Sequence, residues 1–139
     1  MTAPLLLVAA YVSGMLFKNF HTPVHPVDLR ILNTQDGFTR ALLLVQASIC
    51  APIVEEMTFR GLLFEGLRLR WGVAIAAVLS SAIFALSHNT LPGGFLQLWT
   101  LGFVFALVSY RSRSNFPNIL MHAIHNGIVT MIMFAIYSR

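Results

Sequence analysis

Apolar residues occur along this chain in long blocks separated by short polar clusters, and each block is nearly long enough to be a membrane-crossing helix. The first block runs from Pro4 to Phe17 and is short for a span, with Lys18 after it and no basic residue before it. It therefore reads as an uncleaved short span or the remnant of a longer N-terminal region, not as a signal peptide. Asn19 to Gln35 is mixed, with His21, Pro23, His25, Pro26, Asp28 and Arg30, and reads as a loop with one interfacial turn starting at Asp28; its two histidines are expected at the surface. Asp36-Gly37 supplies a turn and an N-cap, and Phe38 to Leu63 forms the second span. Glu65, Arg68, Arg70 and Trp71 make a polar and aromatic belt, after which a tight hairpin is expected. Gly72 to His88 is the third span, Asn89 to Gly94 is turn chemistry, and Phe95 to Tyr110 is the fourth span. Arg111 to Asn115 is a basic connection, Pro117 suits a first helical turn, and Asn118 to Tyr137 is the fifth span.

Composition agrees with that pattern. Of the 139 residues 57% are hydrophobic and 10% charged, and the mean hydropathy is +0.75. These values predict an all-α, polytopic integral membrane protein: one helix bundle of about four to five spans over residues 1–139, with no separate soluble domain. The net charge of +4 sits mostly between apolar blocks, where it suits lipid headgroups as partners, and without a basic stripe or stacking platform nucleic-acid binding is excluded. Alternating the spans places Arg68, Arg70, Arg111 and Arg113 on one side and Lys18, Arg30, Arg40 and Arg139 on the other. The tighter loops carry the first group, so those loops are assigned to the cytoplasm. Cys50 is the one cysteine, which excludes an internal disulfide, and its apolar setting predicts a small packed side chain.

Against this background Glu55 and Glu56 stand out, because a charge near a bilayer centre costs roughly 2.5–3.5 kcal/mol on insertion scales. Glu56 and Arg60 are four residues apart on one helix face and can pair, while Glu55 is rotated by about 100° and stays freer to exchange a proton with water. His122 and Asn126 share a stripe of the fifth span and offer two hydrogen-bond donors to a developing oxyanion; His125 is close enough in spacing to substitute. His88 closes the third span one turn after Phe84. The alternative for the Glu55–Glu56 pair is a purely structural Glu–Arg cluster tying helices together, which is the role favoured for Glu56 with Arg60 alone, and for His88 the alternative is an interfacial helix cap.

Taken in order, Glu55-Glu56-x-x-x-Arg60, Phe84-x-x-x-His88 and His122-x-x-x-Asn126 resemble the CPBP family of intramembrane proteases, which includes CAAX prenyl endopeptidases and bacteriocin-processing or immunity (Abi-type) relatives. The resemblance covers residues 41–137 as a protease core. It implies an endopeptidase acting on a membrane-associated peptide or lipidated protein, with Glu55 and His88 activating water, His122 and Asn126 stabilising the oxyanion, and Glu56 with Arg60 supporting the site. It also implies a multi-pass protein of a bacterial plasma membrane, and additional N-terminal spans in full-length members, so that this chain is expected to be a truncated or minimal core. The competing class is a non-catalytic membrane scaffold or immunity-type protein of the same fold, and a proton-coupled transporter is a third.

No cofactor is expected. Zinc is the alternative, held by Glu55, His88 and His122, although the helical His-Glu-x-x-His arrangement is absent. A cysteine or serine nucleophile is disfavoured, since Cys50 has no histidine at helical spacing and Ser87 adjoins His88, where neighbouring side chains diverge. One geometric demand follows. His88 lies ~24 Å along the third span and His122 only ~8 Å from Pro117, so the two imidazoles meet only if a helix tilts or the fifth begins recessed within the bundle.

Overall fold

The computed structural model describes Val8, Tyr11, Val12, Met15, residues 26–88, Thr90 and residues 92–137. The expected first span, together with His21 and His25, therefore falls outside the described residues apart from those four positions. What is described is helical and without strands: α1 (Pro26–Asn33), α2 (Gly37–Val45), α3 (Ala51–Glu56), α4 (Glu65–Ser87), α5 (Phe95–Ser112) and α6 (Phe116–Tyr137). Two π-helical stretches, Gln46–Cys50 and Met57–Phe64, join α2 to α3 and α3 to α4 without a break. Among the described residues two helical runs are long and apolar enough to cross a membrane, Gly37–Ser87 and Phe116–Ile136. α5 begins at the expected Phe95 but falls short of that test, and the count of four to five spans rests on the sequence alone.

The first run cannot be a straight rod. In one continuous helix the rings of Phe59 and Phe84 would stand ~37 Å apart, yet their centroids are 5.1 Å apart and edge to face. The reversal occurs at Gly72, whose φ of 79° and ψ of 173° interrupt α4 near the midpoint between the two rings. A side chain is rarely compatible with that φ, which explains the glycine. The belt of Arg68, Arg70 and Trp71 leads into this turn, as the charge pattern predicts. Gly72→Ala is expected to cost about 1–2 kcal/mol through backbone strain alone, because no neighbouring atom lies within 4 Å of an added Cβ; thermal unfolding in detergent measures it.

Behind the turn the two arms close on α5. Phe64, Ala76, Ala77 and Ala106 are fully buried, with Leu67, Val73, Phe103 and Leu107 packed on them. Small residues let helix backbones approach closely, which is how bundles in lipid gain dispersion contacts. Large apolar side chains such as Leu62, Leu69, Ile75, Ile83, Ile124 and Met131 face outward, as they would toward acyl chains. Cys50 is also exposed, contrary to the packed position predicted, because its π-helical turn directs it away from the bundle.

Pro52 explains the first π-helical stretch. The Ala51 N–H reaches back to the Gln46 carbonyl, five residues away, and the next donor in that register would belong to Pro52, which has none. The Ala47 carbonyl is thereby released, and the Asn126 side-chain amide donates to it at 3.0 Å. A proline in α3 thus determines where α6 docks.

At the start of the run Asp36 caps α2, its carboxylate accepting from the Thr39 N–H at 2.7 Å. The Thr39 side chain and then its backbone hold the Asp36 carboxyl below its ordinary value of 3.8. A lowered folded value makes this cap fully effective above pH 3.8 and weakens it as the pH falls through the lower value. Amide exchange at Thr39 is expected to accelerate only below that pH, and to be fast at neutral pH in Asp36→Ala.

Candidate active site

Three elements converge on Glu55, which is carried by α3. Its Oε2 lies 3.8 Å from Nε2 of His88, the residue that ends α4, and 3.6 Å from Nε2 of His122 on α6. The recessed start of α6 makes this possible. Asn115, just before α6, sits so close to Gly61 that an added Cβ there would be 3.1 Å from its Nδ2. Gly61 is eleven residues short of the Gly72 turn, roughly 16 Å inward, and His122 lies a further ~9 Å along α6. Together these match the ~24 Å by which His88 trails the turn.

Hydrogen-bond partners fix both imidazoles. The Nδ1 of His88 lies 2.8 Å from the Phe84 carbonyl oxygen, which can only accept, so Nδ1 carries the hydrogen. The Nδ1 of His122 lies 2.8 Å from Oε1 of Glu56, and Arg60 Nη1 donates to the same oxygen at 2.9 Å. A carboxylate paired with a guanidinium is an acceptor, so Nδ1 of His122 also donates. In its neutral form each imidazole then turns the lone pair of Nε2 toward Glu55. Two nitrogen lone pairs and a carboxylate oxygen face one point at separations too long for direct hydrogen bonds, and Glu55 Oε2 has no hydrogen-bond partner among the described residues. Such a cluster attracts a molecule with protons to give, and water is the smallest.

Glu56 and Arg60 lie beneath, with side chains 0% and 1% exposed. Arg60 also reaches the Gly102 carbonyl, from Nη2 at 3.3 Å, and its guanidinium lies 4.5 Å from the Phe84 ring centroid and 5.3 Å from that of Phe105. The aromatic faces and the carboxylate offset part of the desolvation cost that a buried cation incurs. Gly102 permits a close approach: a Cβ there would come to 3.2 Å from Arg60 Nη2, Phe84 Cδ1 and Ser81 Cα, so these neighbours would have to give way. Glu55 is different in kind. Its side chain is 27% exposed and that of His88 19%, so the cluster is sealed on the Glu56 side and has part-exposed side chains on the other, with Oε2 itself turned into the buried interior.

Asn126 occupies the same stripe of α6 as His122, with one hydrogen of its amide committed to Ala47. His125 forms no ion pair with either glutamate among the described residues. Sequence reasoning missed Asn118, which is fully buried and donates to the Phe105 carbonyl at 2.8 Å. It stands one turn before His122, so extending the His122–Asn126 spacing backward by four residues would have found it.

The alternative zinc ligands Glu55, His88 and His122 gather, with Glu55 Oε2 3.8 and 3.6 Å from the two Nε2 atoms. Tetrahedral bonds of about 2.0–2.1 Å would hold ligand atoms roughly 3.3 Å apart. Among the described residues no group of three or more His, Cys, Asp or Glu is arranged to hold a metal.

The family described as type II CAAX prenyl endopeptidase Rce1-like matches residues 36–128, a segment that contains every member of the cluster. The Bacillus subtilis (strain 168) protein named "Putative membrane peptidase YdiL" is 33% identical over 92 residues, which cover 66% of this chain and 37% of that protein. The chain thus spans little more than a third of the length of this relative. No solved structure matches.

Proposed function

The chain belongs to the Rce1-like family of type II CAAX prenyl endopeptidases, within the CPBP group of membrane proteases, and from that premise we propose that it is an intramembrane endopeptidase using carboxylate- and imidazole-activated water. The observation that carries this reading is the position of Glu55 Oε2 between the Nε2 atoms of His88 and His122. A water there donates one hydrogen to Glu55 and the other to an imidazole, leaving its oxygen lone pair for a substrate carbonyl.

In the first step the water O–H bond breaks, Glu55 takes the proton with help from His88, and the new C–O bond makes a tetrahedral oxyanion. His122 is held by Glu56 and Arg60 with Nε2 toward the reaction centre. The proton taken from water, passed from Glu55 to that nitrogen 3.6 Å away, makes it a donor to the oxyanion, and Asn126 adds a second donor from the next turn. Collapse breaks the C–N bond, and the same proton, returned through Glu55, leaves on the amine. Withdrawal from bulk water strengthens each of these interactions. No step requires a metal.

The substrate class is a membrane-associated peptide or lipidated protein, reaching the cluster from the exposed edge of Glu55 and His88, and the setting is a multi-pass protein of the bacterial plasma membrane. The test is cleavage of a membrane-peptide library by the protein purified in detergent, followed by mass spectrometry with and without a chelator. Products are expected in both conditions, and are expected to form far more slowly with His88→Ala. Cleavage by His88→Ala at the parent rate rejects the water-activating role. No cleavage by the parent, together with a stoichiometric protein partner that still binds Glu55→Ala, favours the scaffold reading.

A further inference from the structure

The recess of α6 leaves a second cavity, on the side of the bundle where Gly72 turns the chain. It has a volume of about 640 Å³ and is lined by Arg60, Glu65, Arg68, Tyr110, Arg113 and Asn115, among others. We propose that this cavity binds the phosphodiester headgroup of an anionic phospholipid. The proposal stands apart from proteolysis, since Glu55, His88 and His122 are not among the lining residues.

Charge argues for a single negative ligand. Arg60 is neutralised by Glu56 at 2.9 Å and Arg68 by Glu65 at 2.6 Å, which leaves Arg113 as the excess cation of the wall, with no ion-pair partner among the described residues. One phosphodiester monoanion balances it. Position argues for a lipid as the source: Arg68 and Trp71 form the belt where the bundle meets the headgroup layer, and basic pockets between membrane helices on such a face recognise acidic headgroups. The Ser109 hydroxyl donates to Asn115 Oδ1 at 2.6 Å, which leaves the Asn115 amide hydrogens for other acceptors.

Backbone geometry adds an independent point. Arg113 ends α5 with φ 52° and ψ 30°, and it is the non-glycine residue with positive φ among those described. Helices commonly place glycine at such a left-handed cap. Arginine is strained here, and the strained residue is the one whose guanidinium belongs to the cavity wall.

That strain supplies a clean variant. Arg113→Gly removes the guanidinium and relieves the backbone, so it is expected to fold at least as well as the parent. In native mass spectrometry from detergent, phosphatidylglycerol is expected to remain bound at one molecule per chain, and Arg113→Gly combined with Arg68→Gln to weaken that binding about tenfold or more. Arg30→Gln, which removes a charge elsewhere, should leave it unchanged. Inorganic phosphate is the second arm: competition by phosphate at millimolar concentration shows that the phosphate group itself is recognised, and stabilisation by phosphate alone would identify a soluble anion instead of lipid as the occupant. Equal retention of neutral diacylglycerol, or equal loss in Arg30→Gln, overturns the proposal.

Discussion

Glu55→Gln is expected to lower peptide cleavage by about 10²–10⁴-fold, the range that a positioned general base contributes, while leaving thermal unfolding close to that of the parent. The substitution keeps the shape of the side chain and its place between the imidazoles but removes its ability to take the proton of the attacking water. Little stability should be lost, because Glu55 is 27% exposed and its Oε2 makes no hydrogen bond among the described residues. Cleavage and melting therefore separate: a variant that melts like the parent and does not cut shows a chemical role, whereas one that melts early shows a structural one. Titrating the same substrate against enzyme in single-turnover mode reads the chemical step itself.

Arg60→Met is expected to behave in the opposite way. It strands the Glu56 carboxylate, which is 0% exposed and bonded to both Arg60 and His122, and breaking one half of a buried pair commonly costs about 3–5 kcal/mol. The guanidinium also lies 4.5 Å from the Phe84 ring centroid and donates to the Gly102 carbonyl, so packing between α4 and α5 suffers as well. Combining Arg60→Met with Glu56→Gln removes the uncompensated charge and should restore much of the lost stability. Cleavage should not return with it, since the amide of Glu56→Gln is a weaker acceptor for Nδ1 and brings no negative charge to stabilise a protonated His122. Thermal unfolding of the two variants in detergent, beside their cleavage rates, checks both halves.

Much of the site was legible in the sequence because lipid leaves little reason for a charge without a role. Glu55, Glu56 and Arg60 stand out from the cost of burying them, and the four-residue spacing of Glu56 with Arg60 anticipates their ion pair, while that of His122 with Asn126 puts both on one stripe of α6. The hairpin after Trp71 and the recessed beginning of α6 were also deducible, the second from the distance that separates His88 from His122 along their helices. Other features were hidden because they depend on contacts between segments far apart in sequence. Nothing near Asn118 signals that it would find the Phe105 carbonyl. The Ala47 carbonyl that accepts from Asn126 is left free because Pro52, five residues on, has no N–H, in a π-helical register that no periodicity announces. Cys50 was read as packed because its neighbours are apolar, but in a membrane protein an apolar segment has an outward face too. The division of Gly37–Ser87 into two arms at Gly72 falls where the second and third spans were separated in the sequence, whereas the full count of four to five spans rests on hydropathy alone.

The central claim is that Glu55, His88 and His122 act on one shared proton-bearing molecule. A double-variant cycle on cleavage measures that directly, comparing His88→Ala, His122→Ala and the combined variant under identical single-turnover conditions. Groups acting as a unit are strongly non-additive, so the combined variant is predicted to be no slower than the worse single one by more than a small factor. Losses that simply multiply, or parent-like cleavage in either single variant, would contradict it.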